Sequence, residues 1–514
     1  LLPGPQKRVP CCEKKVSLLL MARSLPYQHT FMPADKLHII PSVQELLTRL
    51  TTAGFEAYVV GGSVRDWLLG KEPKDWDITT NARPDDILRI IPDGKYENRF
   101  GTVIVPIRTA DGELSDVIEI TTYRSEQGYS DHRRPDEVVF EDKLENDLAR
   151  RDFTINALAM SLDLKLVDFF GGEKDIKHKI IRTVGEPEDR FKEDALRMLR
   201  AVRFYAQLRF SIEPKTERGI QKLAGTVKFV ANERIRDELI KILSSDYPAE
   251  GVRKLQETKL LNYIIPELEE GIGMAQNHHH TSTVFEHNLS SLKHCPNTQW
   301  QVRLAALLHD IGKARTKKIT NGTATFYNHE MVGAKMVQKI LTRLKFSSAD
   351  IERIVALVRN HMFYYNVDEV TAASVRRLIR KVGEGNLSDL IDLRVADRLG
   401  SGVAKAMPYK LRHLQYMMEK VRHDPVSVKM LKLKGDDIMK VLNMSPGPKI
   451  GAILDVLLSE VIEDPALNNY EYLERRCREL NELELTELRD KAKEIIEEKR
   501  AEEDKEIKKD YYVS

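Results

Sequence analysis

The sequence predicts an α+β fold, with a small mixed-sheet head followed by a long all-α region. Three observations predict it. Between residues 35 and 175, β-rich runs alternate with helical patterns. The apolar run Tyr58-Val59-Val60 ends in Gly61-Gly62, and a second strand-like run opens at Asp75-Trp76-Asp77. From Pro187 onward strand patterning fades, and helical spacing continues with breaks at Glu213-Pro214, Asp246-Tyr247-Pro248 and Ile265-Pro266.

Within the head, Ser42–Thr52 has the spacing of an amphipathic helix, Ala57–Val60 of a strand and Val64–Leu69 of a helix. Trp76–Thr79, Thr102–Ile107 and Val117–Thr122 alternate as strands. A chain of 514 residues is too long for one core, and ordinary domain sizes give about three to four units. We divide it into an N-terminal extension (1–34, expected to be disordered), the head (35–175), a helical neck (176–250), a histidine-rich domain (251–420) and a helical tail (421–514). Met21 is a candidate start within the extension.

Composition narrows the function classes. The 81 basic and 79 acidic residues nearly cancel to +2, which excludes a global polyelectrolyte, so any nucleic-acid surface must be local. Cysteines at 11, 12, 295 and 477 have no disulfide-framework spacing, and a reducing cytoplasm is expected. No run approaches transmembrane length, and the apolar part of Val16–Met21 is too short for a signal sequence. No membrane partner is expected, and the oligomeric state is left open.

Asp75 and Asp77 are two apart, so on a strand both point to one face. Adjacent carboxylates repel unless a cation lies between them, and hard oxygen ligands suit Mg²⁺. Gly61, Gly62 and Ser63 offer backbone N–H groups to a phosphate, with Arg65 nearby; Asp66 is a capping or structural acid. Glu119, in the apolar run Asp116–Arg124, is the candidate third carboxylate; the alternative is an outward-facing strand residue. Together these imply phosphoryl or nucleotidyl transfer through two metal ions.

In Arg150-Arg151-Asp152-Phe153-Thr154-Ile155-Asn156 a helix would gather polar groups on one side. Phosphate or ribose recognition and a buried hydrogen-bond network are both open readings. Asp194 and Arg197, three apart on an expected helix, offer acceptors beside guanidinium donors. Cytosine and adenine present an amino donor beside a ring acceptor and match such a pair, whereas uracil and guanine do not. The alternative is a helical salt bridge. Arg197, Arg200 and Arg203 form a ridge suited to a triphosphate or an RNA 3′ end, Arg203 also being open to a packed-stem role.

Over Leu37–Leu243 these strings resemble the class II tRNA nucleotidyltransferases, the CCA-adding enzymes of the polymerase-β-like nucleotidyltransferase superfamily. The resemblance implies Asp75 and Asp77 as the metal-binding catalytic pair. It implies Arg151, Asp152 and Asn156 in ribose recognition and Glu193, Asp194 and Arg197 in nucleotide templating. Glu233–Glu238 matches a helical family motif with an architectural role. The segment Gly128–Pro135 resembles the flexible segment that enzymes adding only CC lack, and Arg99–Val105 is nearer the CCA-adding form than the poly(A) polymerase form. Implied partners are tRNA, CTP and ATP, with template-independent addition of C, C and A; a poly(A) polymerase on the same fold is the alternative. An RNA-binding scaffold with an inactive head, and a protein whose main activity is phosphohydrolysis, are further alternatives.

Eight of the 14 histidines lie between 278 and 361. Leu307-Leu308-His309-Asp310-Ile311-Gly312-Lys313 resembles the HD phosphohydrolase signature. The resemblance implies a metal held by His287, His309, Asp310 and Asp397, with His329 and His361 at a second metal or a substrate phosphate. It also implies phosphatase or 2′,3′-cyclic phosphodiesterase activity. Mixed histidine and carboxylate ligands suit Mn²⁺, Ni²⁺, iron or Mg²⁺ rather than structural zinc. The triplet His278–His280 is expected to be a polar loop. Leu480–Lys509, dense in Glu, Lys and Arg, is expected to be a solvated helix or a coiled-coil partner.

Overall fold

The computed structural model describes residues 39–490 and Tyr511, apart from positions 74, 99–100, 110, 128–136, 277–281, 321–322, 364, 368–371, 404 and 423–430. The expectations for residues 1–34, Gly128–Pro135, His278–His280 and most of Leu480–Lys509 lie outside the described residues. The chain divides into two compact units, Leu1–Glu238 with Glu257–Tyr263, and Leu239–Gln256 with Ile264–Ser514.

The first unit begins with helix Pro41–Thr52. Its apolar residues Val43, Leu46, Leu47 and Leu50 recur at i, i+3, i+4 and i+7 and are buried together. Pro41 occupies the first turn, where its missing N–H has no intrahelical acceptor to lose. The strands are β1 (Ala57–Val60), β2 (Asp77–Thr80), β3 (Lys95–Asn98), β4 (Thr102–Arg108), β5 (Leu114–Thr122), β6 (Arg124–Gln127), β7 (Glu137–Phe140), β8 (Ala159–Met160) and β9 (Leu166–Val167). Seven of them form one sheet in the order β3-β4-β5-β2-β1-β8-β9, and β6 and β7 pair separately. The β2–β5 pair is parallel and its neighbours are antiparallel, so the sheet is mixed. Val59, Ile78, Ile118 and Ile120 are buried on the central strands, each worth about 1.5–3 kcal/mol by burial.

Two expected helices take another form. The run after Arg151 makes one 3₁₀ turn, Thr154–Asn156, and then enters β8. Tertiary bonds claim its backbone: the Thr154 N–H donates to the Arg182 carbonyl at 2.9 Å, and the Thr154 hydroxyl donates to Asp175 Oδ2 at 2.5 Å. Gly172 packs against this turn so closely that a Cβ there would lie 2.1 Å from the Thr154 carbonyl oxygen.

The expected helix through Asp194 is interrupted at that residue. Helix Pro187–Glu193 stops, Asp194 is extended (φ −143°, ψ 106°), and helix Leu196–Leu208 begins. Asp194 Oδ1 accepts the Leu196 N–H at 3.0 Å, as a short acid does when it competes with the backbone at a helix start. Asp194 and Arg197 therefore do not share a continuous helix face. The strand signal also does not vanish after Pro187: Ser211–Ile212 pairs with Ile180–Ile181, and Lys318–Thr320 pairs with Thr323–Thr325.

In the second unit, helices Val284–Lys293, Trp300–Leu308, His329–Arg343, Ser348–Asn360 and Leu387–Gly400 pack together. Leu304, Leu307, Val337, Ile340, Ile354, Leu357, Leu390 and Leu393 are fully buried in them. Helices Gly435–Leu442, Pro448–Glu463 and Tyr470–Leu480 enclose a separate cluster that includes Ile438, Ile453, Leu457, Leu473, Cys477 and Leu480. Among the described residues no helix is long and apolar enough to cross a membrane.

Candidate active sites

Strand register builds the first site. In the parallel β2–β5 pair Asp77 stands opposite Glu119. Asp75, just before β2, lines the same depression of about 390 Å³, and Trp76 between them is buried. Burial raises the pKa of Asp77 above the ordinary carboxylate range, Asp75 adds to the rise and Arg151 opposes it. Glu119 is raised by burial and then by Asp77, Glu97 and Asp75. Two acids that resist ionisation, with the carboxylate of Asp75 beside them, form a donor set for a divalent cation. Glu119 stands beside the pair and faces outward from the strand, between buried Ile118 and Ile120.

Gly61 closes the site from behind. Its backbone (φ 79°, ψ −131°) is one that only glycine adopts readily. A Cβ there would lie 2.9 Å from Arg151 Nη1 and 3.7 Å from Asp77 Oδ2. Gly62 begins helix Gly62–Leu68 and has no such constraint. The Ser63 hydroxyl is buried and donates to the carbonyls of Val60, at 3.3 Å, and Asp75, at 3.0 Å. The second of these bonds ties the start of the helix to the backbone of Asp75.

Of the two readings for the run through Asn156, the structure displays the hydrogen-bond network. Arg65 Nη1 donates to Asn156 Oδ1 at 2.6 Å, and Asn156 Nδ2 donates to Asp152 Oδ1 at 3.1 Å. Arg200 Nε donates to Asp152 Oδ2 at 2.6 Å. Burial alone would raise Asp152, but Arg200 and Asn156 overcome it and hold the acid at about 2. The guanidiniums of Arg65, Arg200 and Arg203 lie over the Phe204 ring at 5.0, 5.6 and 4.3 Å. Arg203 is not part of an exposed ridge. It is buried against Glu238 at 3.0 Å, and burial beside Arg200 lowers it to about 10.

Glu193 bridges Arg190, at 2.6 Å, and Arg197. Asp194 pairs with Arg234 at 2.7 Å rather than with Arg197. Sequence reasoning missed Arg234 and the buried Asp147, which holds Arg150 at 2.8 Å and Arg151 at 3.5 Å. The i, i+3 and i, i+4 spacing of Asp147 to the two arginines was the available signal.

The second site gathers every histidine ligand expected for it. His309 and Asp310 follow helix Trp300–Leu308, His287 lies on Val284–Lys293, His329 opens His329–Arg343, His361 caps Ser348–Asn360, and Asp397 lies on Leu387–Gly400. His287 Nε2 is 3.1 Å from His309 Nε2, 3.3 Å from Asp310 Oδ2 and 3.3 Å from Asp397 Oδ1. The other Asp310 oxygen, Oδ1, is 3.2 Å from His329 Nε2 and 3.7 Å from His361 Nε2. Among the described residues, two groups of three have their ligand atoms within 4.8 Å: His287, His309 and Asp397, and His309, Asp310 and His361.

Backbone carbonyls of Ala306, Phe326 and Val358 face Nδ1 of His309, His329 and His361 at 2.9, 2.8 and 2.7 Å. A proton on each Nδ1 leaves the Nε2 lone pair turned to the centre, the arrangement that suits a metal. Burial disfavours charge on His309, yet Asp310 and Asp397 push it up to about 10. Burial and the charge on His309 lower His361 to about 3. A divalent cation fits this donor set and would neutralise the two acids in place of protons.

Gly312 makes the assembly possible. A Cβ on it would lie 2.1 Å from the His329 carbonyl oxygen and 2.6 Å from Gly333 N, so only glycine lets the two segments touch. Lys313, another residue sequence reasoning left unassigned, reaches Asp310 Oδ2 at 2.5 Å and Gln276 at 2.7 Å. The site opens into a cavity of about 640 Å³ whose lining includes Lys313, Arg394, Arg398, Tyr327 and Met362.

Family models match along the chain: the poly A polymerase head domain over 57–182, a probable RNA- and SrmB-binding site of polymerase A over 209–272, and the HD domain over 285–401. The A-adding tRNA nucleotidyltransferase of Deinococcus radiodurans is 36% identical over 418 residues, covering 78% of this chain and 90% of that protein. The chain belongs to the tRNA nucleotidyltransferase family. Another member, the CCA-adding enzyme of Ligilactobacillus salivarius, is 34% identical over 446 residues, covering 85% of this chain and 96% of its own length. The crystal structure of the Bacillus stearothermophilus CCA-adding enzyme in complex with CTP superposes with a TM-score of 0.55 at 26% identity, covering 86% of this chain and 98% of that one. The family's nucleotidyltransferase activity and mixed-sheet head are thus those of this chain.

Proposed function

We propose that this tRNA nucleotidyltransferase adds C, C and A to tRNA 3′ ends from CTP and ATP without a nucleic-acid template. The observation that carries the reading is the acidic row Asp75, Asp77 and Glu119, beside the in-register β2–β5 pair, in a chain that covers 96% of the length of the Ligilactobacillus salivarius CCA-adding enzyme. In the reaction the RNA 3′-oxygen bonds to the α-phosphorus and the bond to the leaving pyrophosphate breaks. Asp75, Asp77 and Glu119 would hold divalent ions, Mg²⁺ by donor chemistry, which when bound supply charge neutralisation at the reacting phosphates. Arg151, beside Gly61 and Asp77, is positioned to meet negative charge there. Arg65, Asp152, Asn156 and Arg200 set the floor next to ribose and phosphate, and Glu193, Asp194 and Arg197 read the base. The head (35–175) carries the chemistry and the neck (176–250) carries the base choice.

The test is extension of tRNA lacking its 3′ end, with CTP, ATP or both, read at single-nucleotide resolution. The expected product is complete CCA. The Deinococcus relative is named for adding A alone, so growth only on tRNA already ending in CC would favour that second reading. Long A tails from ATP alone would favour a poly(A) polymerase.

We further propose that the histidine centre is a metal-dependent phosphohydrolase. One ion would be held by His287, His309, Asp310 and Asp397, with His329, His361 and the far oxygen of Asp310 serving a second ion or a substrate phosphate. When bound, such ions supply an activated water and polarise the phosphoester. Metal analysis of the purified protein and hydrolysis of a 2′,3′-cyclic nucleotide test this reading. Loss of both metal and hydrolysis in His309→Ala is the expected outcome, and hydrolysis that survives chelation and His309→Ala would reject it.

A further inference from the structure

Asp194 is already occupied. A carboxylate has roughly four lone-pair sites. Oδ1 accepts the Leu196 N–H at 3.0 Å and Arg234 Nη1 at 3.3 Å, and Oδ2 accepts Arg234 Nη2 at 2.7 Å. Among the described residues, one acceptor site on Oδ2 is left. Arg197 shows the same economy. Its Nη1 donates to Glu193 and to the Arg190 carbonyl, and its Nη2 donates to the Arg150 carbonyl at 3.0 Å. Among the described residues, Nε–H and one of the two Nη2–H groups are left, both on the side of the guanidinium away from Glu193.

One acceptor and one donor edge is the complement of a base that shows one amino N–H beside one ring nitrogen. Cytosine and adenine do so. Uracil would set a carbonyl against the carboxylate and its ring N–H against the guanidinium, leaving buried groups opposed. Among the described residues, an Asp194 without Arg234 would keep only the Leu196 N–H as a partner and would turn several open acceptor sites toward the base. We infer that Arg234 is a positioning residue for base selection: it fills the surplus acceptor sites of Asp194 and fixes the carboxylate so that a single site meets the base. This rests on the reading that Asp194 and Arg197 contact the base. It gives the Glu233–Glu238 segment a part in specificity beyond architecture.

Steady-state extension of a tRNA primer with CTP, ATP and UTP tests the inference, with melting temperature and far-UV circular dichroism as folding controls. Loss of a charge-assisted bond in Arg234→Ala should raise KM for CTP and ATP by about tenfold or more. It should leave kcat within a few-fold and increase UMP incorporation. Arg234→Lys, which keeps the charge but loses the planar fork, should recover only part of the selectivity. In an Asp194→Ala background, Arg234→Ala should add nothing further. Wild-type KM and selectivity in Arg234→Ala would overturn the inference, as would full additivity with Asp194→Ala. Should Arg234→Ala fail to fold, Arg234→Lys decides, and unchanged KM and selectivity in it would be equally fatal. If Asp194→Ala alone keeps wild-type base choice, the base-reading role of Asp194 falls, and that result is separate from any Arg234 outcome.

Discussion

The sharpest consequence of the head geometry concerns Gly61 and its neighbour. Replacing Gly61 with alanine asks an L-residue to adopt φ 79° and ψ −131°, at a cost of about 1–3 kcal/mol. The new Cβ would also sit 2.9 Å from Arg151 Nη1. That atom ends a flexible side chain, so it moves rather than the backbone, and it is the cation whose charge acts on Asp77. Displacement of about 1 Å in a reacting constellation costs on the order of 10²-fold in rate. Gly61→Ala should therefore lower kcat/KM for nucleotide addition by that order, with a melting temperature lower by roughly 2–4 °C per kcal/mol. Gly62→Ala is the internal control. Its Cβ would meet Arg65 Nη2 at an ordinary 3.5 Å, and stability should stay within about 0.5 kcal/mol of wild type. Differential scanning calorimetry and single-nucleotide extension assays on both variants make the comparison. Equal behaviour of the two variants would refute the reasoning.

Other perturbations follow from the same geometry. Gly312→Ala drives a methyl into the His329 carbonyl and should cost about 1–3 kcal/mol or more; elemental analysis should show metal lost from the histidine site. Glu238→Ala leaves the buried guanidinium of Arg203 uncompensated and should destabilise by about 3–5 kcal/mol, whereas Arg203→Met with Glu238→Leu should recover most of that in thermal melts. Asp152 titrates near 2 in the folded head against an ordinary carboxylate of 3.8. Its contribution, about 2–3 kcal/mol, is fully present above pH 4 and disappears as the pH falls toward 2. Asp152→Asn should remove it at pH 7 and flatten the acid limb of stability against pH.

Local periodicity made the head legible. Ala57–Val60 and the alternation of Ile118, Glu119 and Ile120 are visible in the string, and with them the carboxylate row. What the string did not show depends on distant partners. No glycine or proline marks the break at Asp194; it comes from the acid's own bond to Leu196 and from Arg234, 40 residues away. The turn at Thr154–Asn156 carries helical spacing in the string, and the bonds that divert it come from Asp175 and Arg182. Arg203 reads as one of three evenly spaced arginines until Glu238 appears beside it. At the histidine site the ligands could be named from the chain, but not that Asp310 turns one oxygen to each half of the cluster.

The pairing of Asp77 with Glu119 has a consequence for folding fidelity. On β5 the acid sits between Ile118 and Ile120, both fully buried. A slip of β5 by a single residue against β2 would turn Glu119 into the apolar interior and bring both isoleucines out to water. Misalignment is thus penalised by the core before chemistry is ever attempted. A chain that reaches a stable sheet has, by the same step, placed its acids side by side.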